Sequence, residues 1–349
     1  MRIFVAGATG VVGRRAVPLL LAAGHRVTAS GRNPERCAAL AEAGARVIAL
    51  DLFDRKAVRR AVDGHDIVVN LATHMPSSAL RTMLPGAFRE NDRVRREGAA
   101  NLAEAAIACG APRLIQESFA PIYADGGAQR LDETAPVRPA AYNRTVLDAE
   151  RAAQHFGEHG GTGVVLRFAL FYGADSSFLR DMVGMVRRGI APVPGPPDAY
   201  LSSVSHDDAA RAVVAALDLA PGIYNVCDDE PLTRRDYFAA FADAFELRRP
   251  KPMPAWATKL MGSAGALLAR SQRMSNRKLR ASGWAPVYPS AREGLRAAAE
   301  GMRSARGISA DQAPFLGIGR IRYEDGAIRD DRRRGRRAGD RKRDRDRTT

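Results

Sequence analysis

Gly7, Gly10 and Gly13 stand in the run Arg2-Ile-Phe-Val-Ala-Gly7-Ala-Thr9-Gly10-Val11-Val12-Gly13, where a short apolar segment breaks into a glycine turn. Unpaired backbone N–H groups at a helix start, together with the helix dipole, attract phosphate. Glycines let the backbone approach a pyrophosphate with no Cβ in the way. That spacing is chemistry for holding a dinucleotide. Further along, Glu117-Ser118 closes a predicted strand, and a buried carboxyl there could act as a general acid or base. Metal chemistry is not expected, because His155 and His159 are four apart with Gly157 between them and no third ligand is evident. Neither a Gly-x-Ser-x-Gly elbow nor a Cys-x-x-Cys pair occurs.

The elements that must position these groups alternate strand and helix. Strands are predicted at 2–6, 26–30, 46–50, 66–71, 113–118 and 163–168, and helices at 11–23, 35–43, 55–62, 92–109 and 141–156. Gly24, Gly44, Gly64 and Gly110 each fall where a helix gives way to the next strand, as left-handed C-caps do. Repeated strand–helix–strand units imply a doubly wound parallel α/β sheet, with ligand at the carboxyl ends of the strands. After about Tyr172 the rhythm changes. The stretch Ala191-Pro-Val-Pro-Gly-Pro-Pro197 reads as a loop, followed by helices at 207–219, 234–245 and 255–269 and a short strand at 222–226. The expected division is a dinucleotide-binding domain over 1–172, mainly a small substrate-side lobe over 173–302, and a tail over 303–349.

The formal net charge of +15 is uneven, and about +7 of it lies in 303–349. The tail segment Asp331-Arg-Arg-Arg-Gly-Arg-Arg-Ala-Gly-Asp-Arg-Lys-Arg-Asp-Arg-Asp-Arg has almost no apolar groups to offset its ordering entropy, so disorder is expected. Such a tail could touch nucleic acid electrostatically, but interleaved aspartates lower its charge and a specific nucleic-acid role is not expected. Cys37, Cys109 and Cys227 are scattered and odd in number, which suits free thiols in a reducing cytoplasm. No apolar run is long enough to cross a bilayer, and no leader is expected before a strand that begins at Arg2.

Several motifs, in order, resemble the extended or atypical short-chain dehydrogenase/reductase superfamily, often called NAD-dependent epimerase/dehydratase. The resemblance covers about residues 1–300. Gly7-Ala-Thr-Gly10-Val-Val-Gly13 is similar to its glycine loop, Asp51-Leu52 to a pair that contacts adenine, and Asn70-Leu71-Ala72 to the segment lining the nicotinamide ribose. Arg167-Phe-Ala-Leu-Phe-Tyr172-Gly173 and Ser205-His206-Asp207-Asp208-Ala209-Ala210 resemble substrate-side stretches. The resemblance implies cofactor contacts from Gly7, Thr9, Gly10, Val11, Val12, Gly13, Asp51, Leu52, Leu71, Ala72 and Thr73, and substrate contacts from His74, Arg167 and His206. Plainer roles stay open. Asp51 could cap the loop after it, Ser205 could cap a helix whose first turn holds His206, and Arg167 could pair with a carboxylate.

The residue after the second strand selects the cofactor. An acid there would bind ribose hydroxyls and repel a 2′-phosphate, but the chain has Ser30-Gly31-Arg32-Asn33. A guanidinium suits a phosphate, and Arg14 could add to the field, so NADP(H) is expected over NAD(H). The resemblance implies a catalytic Tyr at Tyr142, a Lys four residues on that lowers its pKa, and a Ser near the fifth strand. Here Val146 stands at the Lys position, Phe119 at the Ser position, and Ser118 is one residue early. Tyr142, helped by Ser118 or Glu117, is the expected proton-handling group. The implied activity is oxidoreductase or epimerase-type chemistry on a small polar organic molecule. A catalytically silent NADP(H)-binding sensor is the alternative. Helices 92–109 and 141–156 are where relatives often form a homodimer.

Overall fold

The computed structural model describes residues 1–76, 86–192, 194–252 and 262–311. Strand β1 (Arg2–Ala6) shows why the sheet is covered on both sides. Ile3 and Val5 enter one core and Phe4 and Ala6 the other, and all four are fully buried. A strand apolar on both faces belongs in the middle of a parallel sheet. The other strands of this sheet are β2 (Arg26–Ser30), β3 (Arg46–Ile48), β4 (Ile67–Asn70), β5 (Arg113–Phe119), β6 (Thr162–Phe168) and β7 (Gly222–Val226). All pair in parallel in the order β7-β6-β5-β4-β1-β2-β3. The order reverses beside β1, which opens a crevice at the carboxyl ends there. The doubly wound fold predicted from the alternation is the fold observed.

The flanking helices are α1 (Gly13–Ala22), α2 (Pro34–Glu42), α3 (Arg55–Val62), α4 (Ala99–Ala108), α5 (Val146–Glu158), α6 (Ser177–Arg187), α7 (His206–Ala215), α8 (Arg234–Ala244) and α9 (Ala291–Asp311). Ala16, Val17 and Leu20 of α1 and Ala209 and Val213 of α7 cover one face of the sheet. Val58 and Val62 of α3, Leu102 of α4 and Ala153 and Phe156 of α5 cover the other. The four C-cap glycines have φ between +67° and +100°, a conformation that L side chains adopt at a cost. A third cluster, including Tyr172, Met182, Leu201, Tyr237, Phe241 and Leu295, forms a smaller core built from residues beyond Leu170.

Several boundaries differ from the sequence reading. The outermost strand β7 comes from beyond residue 172, and Met1–Ala305 form one compact unit. The helix expected over 92–109 is broken into Arg89–Arg93, a π-helical turn Val94–Gly98, and α4. The helix expected from 141 begins only at Val146. The last helix runs to Asp311, past the start expected for the tail, whose residues 312–349 lie outside those described. The helix expected over 255–269 is seen as Gly262–Leu268, and 253–261 also lie outside the described residues. Among the described residues no helix is long and apolar enough to cross a membrane.

Candidate active site

The glycine turn is held by backbone. Gly7 has φ +74°, and a Cβ there would come within 2.6 Å of Leu71 and Ala72 backbone atoms at the end of β4. The expected neighbours Leu71 and Ala72 are therefore pressed against the turn from behind. Gly10 N–H donates to Gly7 O (3.0 Å) and Ala8 N–H to Ser30 O (3.0 Å), which closes the turn against β2. Helices α2, α3, α6, α7 and α8 carry side-chain caps from Asn33, Asp54, Ser176, Ser205 and Thr233. At α1, Val12 is the N-cap, no side chain caps it, and no acid lies in its first turn. That leaves the amides beside Val11, Val12 and Gly13 as a cradle suited to an anion.

Around the cradle the arginines separate. Arg32 is exposed, and its Nη2 lies 2.9 Å from Nδ1 of His74. His74, expected at the substrate, is thus beside Arg32 on the β2 side, with its N–H donating to buried Asn91 Oδ1 (2.9 Å). Arg36, which the sequence reading missed, donates to Thr9 O (3.1 Å). Arg14, expected to add to a phosphate field, is turned away and bonds Asp175 together with Arg15 (2.9 Å). Asp51 accepts a bond from Phe53 N–H (2.9 Å), so it caps its own turn, while Leu52 O accepts from Asn101 (2.8 Å).

A row of polar residues crosses the carboxyl ends of the central strands. Asn70 pairs with Gln116 across β4 and β5, and Ser118, Arg167 and Asn225 are neighbours across β5, β6 and β7. Asn70 Nδ2 donates to Gln116 Oε1 (2.8 Å). Ser118 is still inside its strand, and its hydroxyl donates to Glu150 of α5 (2.5 Å). Arg167 grips both Glu150 oxygens at 2.7 Å and donates to the Tyr123 hydroxyl (2.9 Å), which donates to Asn225 (2.8 Å). Burial pushes the Tyr123 pKa up to about 12, although Arg167 pulls the other way. Ser118, expected at the catalytic centre, and Arg167, expected at the substrate, are thus engaged within the protein. Of the two open readings for Arg167, the geometry shows the carboxylate pair.

Tyr142 lies in a turn, not on a helix. Asn143 Oδ1 accepts from Ala140 N–H (2.8 Å), and Val146 N–H donates to Asn143 O (3.1 Å). The Thr145 hydroxyl donates to Asp92 (2.7 Å), which fixes the far side. Positions 142 and 146 therefore do not share a helical face, and Val146 is fully buried as the first residue of α5. The Tyr142 ring packs on Phe88 with centroids 5.0 Å apart. Burial pushes its pKa up to about 12, with Arg95 and Arg270 drawing it back. Arg95 is the cation that sequence reasoning missed, because only the π-helical turn carries it inward. Its Nε donates to Glu117 (3.2 Å), and both side chains are buried. Tyr142, Arg95 and Glu117 therefore come together, while Ser118 faces Glu150.

His206 opens α7 almost wholly buried, its Nδ1 3.0 Å from Asp175 Oδ1. Ser205 caps the helix by accepting from Asp208 N–H (2.9 Å). Burial raises the Asp175 carboxyl, but the bond with His206 and the charges of Arg15 and Arg14 outweigh it and hold it well below the usual carboxylate range. Of the two readings open for His206, the observed geometry is that of a capped helix start.

The model of the NAD dependent epimerase/dehydratase family matches residues 3–227. The chain belongs to that family. It is 36% identical over 310 residues to a Streptomyces 3-diazoavenalumate denitrifying reductase, over 84% of this chain and 99% of the relative. Among solved structures it is similar to a Thermus thermophilus UDP-glucose 4-epimerase in complex with NAD. That match has 26% identity and a TM-score of 0.70, over 87% of this chain and 100% of the other. A human epimerase family protein with NADPH shares the fold at 23% identity and a TM-score of 0.71, over 86% and 99% of the two chains. Reductases and epimerases thus surround this member of the family, and a nicotinamide cofactor is supported. The uncapped, acid-free start of α1 fits the diphosphate of such a group.

Proposed function

We propose that this protein is an NADP(H)-favouring reductase of a small polar organic molecule, one whose reduction needs no tuned proton relay. The observation that carries this reading is Tyr142, a phenol held near pKa 12 with Val146 and Phe119 where a lysine and a serine would serve it. A base for epimerisation or alcohol oxidation must ionise near working pH, and burial pushes this phenol the other way. As a neutral hydrogen-bond donor it can still orient a substrate. Glu117, paired with Arg95, keeps a cation beside the phenol without presenting a second acid. A bound nicotinamide supplies hydride. The name of the Streptomyces relative points to a diazo compound as substrate. Where that group reacts as a diazonium cation, hydride replacing the nitrogen pair at carbon releases dinitrogen and forms no alkoxide, so that step takes no proton.

The test is NADPH consumption with dinitrogen release from 4-carboxybenzenediazonium, against a control without protein. Turnover of a ketone but not of the diazonium salt overturns the reading, and no turnover of either favours the sensor alternative. Tyr142→Phe is expected to lower kcat/KM by less than about tenfold, since proton transfer is worth about 100-fold or more where a reaction needs it. A loss of about 1,000-fold would give Tyr142 a proton-transfer role and overturn the reading.

Cofactor preference rests on Arg32, just past the end of β2, and on Arg36 in the first turn of α2, with no acid directly after the strand to guard the ribose. Arg32→Ala is expected to weaken NADPH binding about tenfold by nicotinamide fluorescence, the scale of one exposed charge-assisted bond, and to leave NADH unchanged. Equal affinities before and after the substitution would remove the assignment.

A further inference from the structure

Arg234 opens α8 yet is only 3% exposed. Its Nε donates to Pro194 O (2.8 Å), and Nη2 donates to the carbonyls of Leu268 and Arg270. Its Nη1 is buried and has no partner among the described residues. A buried cation with an unmet donor is costly unless an anion completes it. Among the described residues the carboxylate acting on Arg234 is exposed Asp125, which makes no ion pair with it. Burial pulls the Arg234 pKa down to about 10, so the group is still charged at neutral pH.

Arg270 lies on the same cavity. Its Nη1 donates to Tyr123 O (2.9 Å) and Arg138 O (2.5 Å), and it too makes no ion pair among the described residues. The wall also includes Pro121, Ser202, Gln272 and several apolar side chains, Leu170 among them. The polar groups of that wall are already engaged. Ser202 donates to Gln272 O (2.9 Å) and accepts from Met274 N–H (2.9 Å), and Gln272 Nε2 donates to Tyr123 O (2.8 Å). The cavity measures about 20 Å³, room for roughly one oxygen-sized group. It lies just past the carboxyl ends of β5 and β6, and Arg270 is one of the two cations acting on Tyr142.

We propose that Arg234 and Arg270 form an anion subsite for a carboxylate on the substrate, one oxygen of which enters the cavity and accepts from Nη1 of Arg234. This rests on Tyr142 marking the substrate site. With Nε and Nη2 of Arg234 already bonded, one carboxylate oxygen pairs with Nη1, and a cavity for one oxygen leaves the second oxygen to Arg270. The substrate class is then a small organic acid, held by its carboxylate on the Tyr142 side of the site.

Binding tests this without turnover. NADP⁺-loaded protein is titrated calorimetrically with 4-hydroxycinnamate and with 4-hydroxycinnamamide, which differ in the charged group. The acid is expected to bind at least about tenfold more tightly, the scale of a charge-assisted bond. Arg234→Gln should bring the two within about twofold of each other by weakening the acid alone. Arg270→Gln, at a half-buried position, should shift the ratio in the same direction and serves if the first variant does not fold. Equal binding of acid and amide by the wild-type protein, no acid binding up to about 10 mM, or a ratio unmoved in the folded variants overturns the subsite and leaves the cavity to water. A carboxylate preference without diazonium turnover would sink the reductase reading and keep the subsite, and the converse result would do the reverse.

Discussion

Glu150→Gln is expected to cost about 3–5 kcal/mol of folding stability in urea unfolding, the range for breaking a buried ion pair from one side. Glu150 accepts both forks of Arg167 and the Ser118 hydroxyl, and the Arg167 and Glu150 side chains are 5% and 10% exposed. The amide would leave Arg167 charged in the interior beside the Tyr123 ring, whose centroid is 5.1 Å from the guanidinium carbon. Because Ser118, Arg167 and Asn225 are register neighbours, the loss would loosen the pairing of three strands where they approach the site. Glu150→Leu combined with Arg167→Met should recover most of the stability, since a well-packed apolar pair removes both desolvation costs. A single variant within about 1 kcal/mol of wild type would show that the pair is not isolated from water.

The fold was legible because its signals are local and repeated. A strand apolar on both faces, a glycine closing each helix, and strands alternating with helices leave few topologies open. The Ser205-His206-Asp207-Asp208 helix start was legible for the same reason, since a capping serine and its target lie three residues apart. The catalytic geometry was not. Tyr142 and Val146 carry helical spacing, but Asn143 takes Ala140 N–H with its own side chain and Thr145 reaches Asp92, so the chain turns before the helix starts. Arg95 reads as one of several charges on a solvent-facing helix, and only the π-helical turn puts it against Glu117. The Ser118–Glu150–Arg167 cluster depends on strand register and on a helix between the strands. Arg234 hides in the pair Arg234-Arg235, of which one is buried and its neighbour bonds exposed Asp198.

Gly13→Ala is expected to weaken both NADPH and NADH by about 10- to 100-fold, the value of one or two charge-assisted bonds to phosphate. An added Cβ would stand 2.5 Å from Gly7 O and 2.7 Å from the Cα and O of Ala8. All three are backbone atoms, so no side chain can swing aside. The turn cannot retreat either, because Gly7 already touches Leu71 and Ala72 at the end of β4. The start of α1 must move, and the amides beside Val11, Val12 and Gly13 would shift with it. The overpacking should cost about 1–3 kcal/mol of stability. Gly24→Ala supplies the contrast: an added Cβ there meets nothing within 4 Å, but φ is +81°, so it should cost about 1 kcal/mol and leave cofactor affinity alone. Nicotinamide fluorescence titrations and thermal melts of the two variants separate strain from binding. A folded Gly13→Ala variant that binds both cofactors as wild type does would place the dinucleotide somewhere other than the start of α1.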